Sequence, residues 1–421
     1  MQAVILAAGE SSRFWPLNKA HKSQIKLLGE SLVNWTLKTL VRSGIKEIVL
    51  VCSSDARIKE EVGDGSKIGA KISYIIQDRA LGTGDAVFRA KDFIREPFFI
   101  LHPYKFYAEE IMKAMVKKGN DNKSQVVLAA SPVDDPQDYG VLRFEGNVLV
   151  GIDENPSSRN ALSDLRTLGI YFLQPEFFRY YQKLTSHREE DLIDALNLFL
   201  KEKKGDFVLL DKDLPTLKYP WDLFKVLQAM FESENFKESV AASAVIGKNV
   251  VINGKVYIGE NVKIGENTVI NGHVFIGDNC EIGANNVLRG PVNLEKTVKT
   301  GAFCEIKNTI IQEGTHLHSG YFGDSIIGKN CRFGAGFVSA NKKLDRESIR
   351  SMIKNQKKDT GLTSFGAVVG SNTRFGVHCS TMPGVLIGSD CIIGPGTVVF
   401  ENIEDNTTFY TKFEKVVKKN E

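Results

Sequence analysis

Residues 257–289 read YIGENVKIGENTVINGHVFIGDNCEIGANNVLR, and aliphatic side chains recur through them at every sixth position. Extended backwards, the series runs Val240, Ile246, Ile252, Ile258, Ile264, Ile270, Ile276, Ile282 and Leu288 without a break. A period of six is neither the period of about 3.6 of a helix nor that of about 2 of a flat strand. Most of these positions are followed by Gly or Asn, which accept turn conformations that other residues resist. Each aliphatic side chain can then stack inward on the one a full coil away. Three hexapeptides close one triangular coil of a parallel β-helix, and coils stack as in other solenoids. The pattern resumes at Ile327-Gly328, Phe333-Gly334, Ile387-Gly388 and Ile393-Gly394. The charged, irregular stretch 342–362 is expected to leave the prism as a loop.

Upstream, from Met1 to about Met230, the grammar differs. AVILAA, LVNWTLKTLVRSG, EIVLVCSS, YIIQD, DAVFRAKDFI, FFIL and QVVLAAS alternate β-rich runs with amphipathic stretches. That alternation predicts an α/β domain with a mostly parallel, Rossmann-like sheet and helices on both faces. Ligands of such sheets sit beyond the strand carboxyl ends. We therefore expect two domains, 1–235 and 236–421. The hexapeptide pattern of the second resembles that of left-handed β-helices.

Bulk properties narrow the function. The chain has 421 residues, 42% hydrophobic, 25% charged, with a net charge of +3. Its basic residues are not gathered into one block, which argues against a nucleic-acid partner. No leader-like or membrane-length apolar run is present, so a cytoplasmic protein without membrane attachment is expected. Six scattered cysteines without a C-x-x-C pair suggest reduced, structural thiols.

The first domain carries LAAGESSRFWPL (6–17), a small-residue turn after a strand followed by Arg13. Such a turn brings backbone N–H groups and a guanidinium toward a phosphate. Lys22, a second small-residue turn in QDRALGTGDAV (77–87), DYGVL (138–142), ENP (154–156) and GIYFL (169–173) follow. In order and spacing these motifs resemble the sugar-1-phosphate nucleotidylyltransferases. The resemblance implies that Ala8, Gly9, Arg13 and Lys22 handle a nucleoside triphosphate, UTP or another. It assigns Gln77, Gly82 and Thr83 to the base, and Gly140 and Glu154 to the sugar. The family's two magnesium-binding aspartates fall on Tyr104 and Thr216, so no metal ligand is identified and Mg²⁺ enters only if this site is active. Ser11, Asn155 and Thr167 also depart from the family pattern. Asp213, Asp222, Asp85 and Glu109 are the carboxylates that could serve as relocated ligands.

In the second domain, residues 301–341 read GAFCEIKNTIIQEGTHLHSGYFGDSIIGKNCRFGAGFVSAN. This stretch resembles the acetyltransferase half of the bifunctional enzymes of the GlmU type and their archaeal relatives, which pair acetylation of glucosamine 1-phosphate with uridylyl transfer. Acetyl transfer from acetyl-CoA to an amine requires a base with a pKa near working pH, for which an imidazole is suited. The resemblance makes His318 that base and Arg289, Lys307, Tyr321 and Asn341 the residues that hold an amino-sugar 1-phosphate. It also implies a homotrimer built through the β-helix. Arg332 and Glu347 depart from the pattern, and Lys342 or Lys343 could take the place of the missing lysine. The expected function is acetyl transfer by the β-helix, with a nucleotidyltransferase domain degenerate at its metal site. The alternatives are a working nucleotidyltransferase with relocated ligands and a non-catalytic nucleotide-sugar-binding regulatory subunit.

Overall fold

The computed structural model describes residues 1–79, 81–156, 163–188, 191–212 and 214–418. Contacts divide the chain into two units: Met1–Glu10, Ser23–Ile25 and Glu30–Leu214 form one, and Ser11–Lys22, Lys26–Gly29 and Pro215–Glu421 the other. Two short N-terminal segments and the chain from Pro215 therefore group with the hexapeptide region.

The strands up to Leu209 are β1 (Gln2–Ala7), β2 (Lys26–Leu27), β3 (Glu30–Ser31), β4 (Glu47–Cys52), β5 (Lys71–Ile76), β6 (Phe98–Leu101), β7 (Val126–Pro132), β8 (Gly140–Glu145), β9 (Val148–Glu154), β10 (Leu165–Leu173) and β11 (Gly205–Leu209). The helices are α1 (Leu32–Arg42), α2 (Arg57–Val62), α3 (Thr83–Arg89), α4 (Ala108–Asn122), α5 (Phe177–Gln182), α6 (Asp191–Glu202) and α7 (Asp222–Glu232). The first unit contains a nine-stranded sheet in the order β11-β7-β10-β6-β1-β4-β5, with β8 and β9 attached through β10. β1 lies parallel to β4 and β6, whereas β10 runs antiparallel to β6 and β7, so the sheet is mixed. Every residue of β1 is buried, as befits a central strand covered on both faces. Alternate side chains feed two cores. Val4, Val49, Ile100 and Leu128 pack toward α3, α5 and α6, and Ile5, Leu50, Leu101 and Ala129 toward α1 and α4.

The second unit contains three parallel faces of eight, nine and eight strands. Coils repeat every eighteen residues in the N-terminal part, where Val251, Val269 and Val287 stand in register. Inward columns such as Ile264–Ile282 and Ile270–Leu288 are buried. Val240 and Ile246 begin the same columns yet are 49% and 41% exposed, because they belong to the end coil.

The structure corrects the reason for glycine in the repeat. Gly247, Gly259, Gly265, Gly277 and Gly283 do not adopt positive φ. A Cβ on Gly265 would lie 2.5 Å from the backbone nitrogen of Ala284, so glycine is there because the next coil passes too close for a side chain. The left-handed conformation is taken two residues later by Asn249, Asn261, Asn267, Asn279 and Asn285, with φ between 56° and 58°. Asparagine tolerates this region and adds a rung: the Nδ2 of Asn249 donates to Oδ1 of Asn267, one coil on, at 3.2 Å.

Between about residues 290 and 340 the coils shorten, and from Arg374 to Ile392 the step is eighteen again. Glu305 is followed in register by Tyr321, sixteen residues later. The lost volume is filled by larger side chains, with Phe322, Phe333, Phe337 and Phe375 in contact at centroid distances of 4.6–5.3 Å. The stretch expected as an irregular loop instead holds an antiparallel hairpin, Arg350–Ile353 with Gln356–Asp359. Lys354 and Asn355 form its two-residue turn, both at positive φ. Ser351 and Ile353 are buried while Met352 is exposed, and Ser351 Oγ donates to the carbonyl of Gly384 at 2.7 Å.

The six cysteines are free and buried. Cys280, Cys331, Cys379 and Cys391 donate S–H to carbonyls of the following coil at 3.0–3.1 Å, a structural use of the thiol. Among the described residues, no helix is long and apolar enough to cross a membrane.

Candidate functional site

In the first unit the expected residues Ala8, Gly9, Gln77 and Glu154 stand at or just past the carboxyl ends of strands. Ala8 and Gly9 follow β1, Gln77 follows β5, and His102 to Tyr104 follow β6. A Cβ on Gly9 would meet nothing within 4 Å, so the turn is open on that side. Gln77 is buried, and its Nε2 donates to the carbonyl of Gly82 at 3.1 Å and to Oδ2 of Asp85 at 2.7 Å. Gly82 sits at φ +107° immediately before Thr83, the first residue of α3. A side chain at Gly82 would be strained.

Gly140 opens β8 and faces Glu154, the last residue of β9, in register. A Cβ on Gly140 would lie 2.5 Å from Oε2 of Glu154 and 3.5 Å from Oγ1 of Thr167. The structure therefore brings together both expected sugar residues and adds Thr167. Register along β10 shifts between Thr167 and Tyr171, where Gly169 adopts φ +65°. The bulge turns Gly169 toward the end of β6, where a Cβ would lie 3.3 Å from His102. Burial pushes the Tyr171 phenol up to about 12.

At the position of the first expected metal ligand, Tyr104 is 9% exposed and stacks on His102 at 5.5 Å. The Lys105 ammonium lies 5.1 Å from the Tyr104 ring centroid and 3.0 Å from the Tyr107 hydroxyl. Cation and aromatic rings occupy this strand end. Two of the other carboxylates that could have substituted are engaged here: Asp85 pairs with Arg89 at 2.7 Å, and Glu109 with Arg42 at 2.9 Å. Asp213 lies outside the described residues.

Arg13, Lys22 and Thr216 belong to the second unit, as does Asp222. Ser11 adopts φ +53°, the conformation for which the nucleotidyltransferase pattern uses glycine, and its Oγ accepts the backbone N–H of Lys22 at 3.1 Å. Lys22 Nζ donates to the carbonyl of Leu217 at 2.6 Å. Burial lowers its pKa to about 8, with exposed Arg13 adding to the effect and Asp222 opposing it. Asp222 accepts the backbone N–H groups of Lys218 and Tyr219 at 2.6 and 2.7 Å, so its carboxylate serves the start of α7. Thr216 is half-buried and offers a hydroxyl.

On the third face of the β-helix the expected acceptor residues converge. Arg289 and Lys307 are register partners on adjacent strands, and the next strand carries Tyr321 and Gly323. Their common centre is Asp324, 2% exposed, at φ +48°. Its Oδ2 accepts Lys307 Nζ at 2.9 Å and Asn341 Nδ2, and its Oδ1 accepts Asn308 Nδ2 at 2.8 Å. Asn341 Nδ2 also lies 3.0 Å from the Tyr321 hydroxyl. Lys307, Tyr321 and Asn341 thus form one network around a buried carboxylate, where charged hydrogen bonds are strong and a missing partner is costly. Arg289 stands one strand away, exposed and paired with Glu305.

His318 follows the strand His316–Leu317 and precedes Gly320–Gly323, at the corner between the second and third faces. Its backbone N–H donates to Phe333 at 3.0 Å and its side chain is exposed. Gly301 lies beneath, where a Cβ would be 2.2 Å from the His318 carbonyl oxygen. His316 projects from the second face between Lys299 and Arg332 in register. Burial, followed by those two cations, lowers its pKa. Lys343 is paired with Asp345 at 2.9 Å. The place of Asp324 had a weak signal in sequence, the Gly-Asp after Tyr321, and that of Thr167 only its departure from the family pattern; Asn308 had none.

The chain matches the Nucleotidyl transferase family over residues 2–222. It matches the bacterial transferase hexapeptide over 239–272 and the hexapeptide repeat of succinyl-transferase over 273–302 and 366–401. The gap in the repeat matches, 303–365, contains the shortened coils, the Asp324 network and the hairpin. A protein of Methanococcus maripaludis described as bifunctional protein GlmU is 36% identical over 100% of this chain and 99% of its own length. One of Methanocaldococcus jannaschii with the same description is 31% identical over the full length of both. A bifunctional sugar-1-phosphate nucleotidylyltransferase/acetyltransferase of Sulfurisphaera tokodaii is 32% identical over 96% of this chain and 98% of its own.

Proposed function

Because the chain belongs to the family of bifunctional GlmU-type transferases, which join a nucleotidyltransferase to a hexapeptide acetyltransferase, we propose that its β-helix acetylates an amino-sugar 1-phosphate, glucosamine 1-phosphate, from acetyl-CoA. The observation that carries this reading is the Asp324 network, which holds Lys307, Asn341 and Tyr321 in one arrangement on the third face. In this reading the Lys307 and Arg289 cations take the acceptor phosphate, and Tyr321 and Asn341 orient the sugar. The His318 imidazole removes a proton from the acceptor ammonium. The freed nitrogen lone pair attacks the thioester carbonyl, the C–S bond breaks, the departing thiolate takes the proton from the imidazolium, and the nitrogen releases its second surplus proton to solvent as the amide forms. The protein acts as a cytoplasmic homotrimer assembled through the β-helix, as the family resemblance implies.

For the first unit we propose binding of UTP and of a sugar phosphate with little or no nucleotidyl transfer. Mg²⁺, which the family's nucleotidyl transfer uses, wants hard carboxylate oxygens. The residues at its expected positions are a stacked tyrosine and a threonine, and they do not fit the ion. Gln77, the Gly82–Thr83 turn, Gly140 and Glu154 suit binding and do not need it.

The test is a pair of assays on the full chain. Glucosamine 1-phosphate with acetyl-CoA is expected to release thiol, and His318→Ala to abolish that release. N-acetylglucosamine 1-phosphate with UTP and Mg²⁺ is expected to release no pyrophosphate. Absence of thiol release with any amino-sugar 1-phosphate would sink the first claim, and robust pyrophosphate release the second.

A further inference from the structure

Asp191, the first residue of α6, is fully buried and touches the first turn of α3. Its Oδ1 accepts the backbone N–H of Gly84 at 2.8 Å. Its Oδ2 accepts the Tyr181 hydroxyl at 2.5 Å and lies 3.4 Å from Nδ1 of His187, which is half exposed. Tyr181 in turn stacks on Phe88 of α3 at 4.8 Å. A buried carboxylate is costly unless it is well hydrogen-bonded, so its placement at one backbone N–H is a specific arrangement rather than filler.

The contact is also tight. A Cβ on Gly84 would lie 2.1 Å from Oδ1 of Asp191 and 2.6 Å from the Tyr181 ring, so residue 84 must be glycine while Asp191 is there. From the opposite side Gln77 holds the carbonyl of Gly82 at 3.1 Å. Thr83 is thus bracketed: the residue before it is fixed through its C=O by Gln77, and the residue after it through its N–H by Asp191. α3 has only seven residues and cannot by itself define the geometry of its first turn.

We propose that Asp191 is a positioning residue that sets the Gly82–Thr83–Gly84 turn in the geometry that receives a nucleobase. It acts through the turn and touches no ligand. The inference rests on the reading of this turn as the base-binding element of the first unit.

The experiment is calorimetric titration of the full chain with UTP and, separately, CTP, for the wild type, Asp191→Ala, Asp191→Asn and Tyr181→Phe. Thiol release by the β-helix serves as the control for an intact fold. Asp191→Ala is expected to weaken UTP binding about tenfold or more and to narrow the UTP-to-CTP preference, with thiol release within about twofold of wild type. Asp191→Asn keeps an oxygen for the Gly84 N–H and should bind UTP within about threefold of wild type. Tyr181→Phe should do likewise, because the Asp191–Gly84 bond remains. Wild-type UTP affinity and base preference in Asp191→Ala would overturn the proposal, as would an Asp191→Asn no better than Asp191→Ala. Failure of the wild type to bind either nucleotide would overturn the reading of the turn as well.

Discussion

The strand end at Tyr104 and the third face at Asp324 both present a lysine beside a tyrosine, and they use the lysine in opposite ways. At Asp324 the Lys307 ammonium is met by a buried carboxylate that also fixes two asparagines, so charge and orientation are set together. At Tyr104 the Lys105 ammonium lies against aromatic faces and a phenol. A carboxylate hub organises a polar site around defined hydrogen bonds. An aromatic stack holds a strand end in place but does not supply ligands for a hard cation. The same residue pairing thus sits at a carboxylate hub in one place and in an aromatic stack in the other.

The difference can be attacked where it should be largest. His318→Ala is expected to lower the rate of thiol release by about a hundred- to ten-thousand-fold with no change in melting temperature, since the side chain is exposed. Steady-state kinetics and a thermal melt check both halves. Asp324→Ala should cost about 3 kcal/mol of stability and raise the acceptor KM, because Lys307, Asn308 and Asn341 lose their shared partner. Denaturant titration reads the first effect. A smaller change is expected on converting Tyr104 to Asp: UTP affinity should be the same with and without Mg²⁺ in the wild type and become Mg²⁺-dependent by about tenfold in the variant, measured by titration with and without chelator.

The smallest effect is a pH dependence. The Lys22 pKa is lowered by burial to about 8, so the ammonium is retained below that pH and lost above it. Stability should therefore depend on pH above about 8, and Lys22→Met should flatten that dependence, read by denaturant titration at several pH values. Between about 8 and the ordinary value of 10.5 the unfolded chain binds more protons, so the lysine's burial becomes less unfavourable to folding as pH rises through that window.

The β-helix was legible because its period is imposed by backbone packing, which leaves a mark at every sixth residue. The residue-level reason was not, since proximity of the next coil and a left-handed φ both select small or polar residues; only geometry separates Gly265 from Asn267. The hairpin at 350–359 was read as a loop because its buried face is two residues, Ser351 and Ile353, in a highly charged stretch. Lys307, Tyr321 and Asn341 could be named from the family resemblance, but their meeting at Asp324 depends on coils shortened to sixteen residues. Asp191 stands in the acidic stretch HREEDLID, where sequence suggests a solvated charge, and its burial against Gly84 is set by the packing of α6.

The eighteen-residue coil has a consequence for how such a protein can change length. Each coil in the N-terminal part of the prism pairs its strands with the one before and the one after, with aliphatic side chains in the same columns. A whole coil can be inserted or deleted below residue 289 and leave the strand pairing around Asp324 unaltered, whereas removal of a single residue from within a strand would turn its inward side chain outward. Evolution of this scaffold is therefore quantised: the lower prism can grow or shrink in steps of one coil, while side excursions such as the 350–359 hairpin must leave and re-enter at a corner.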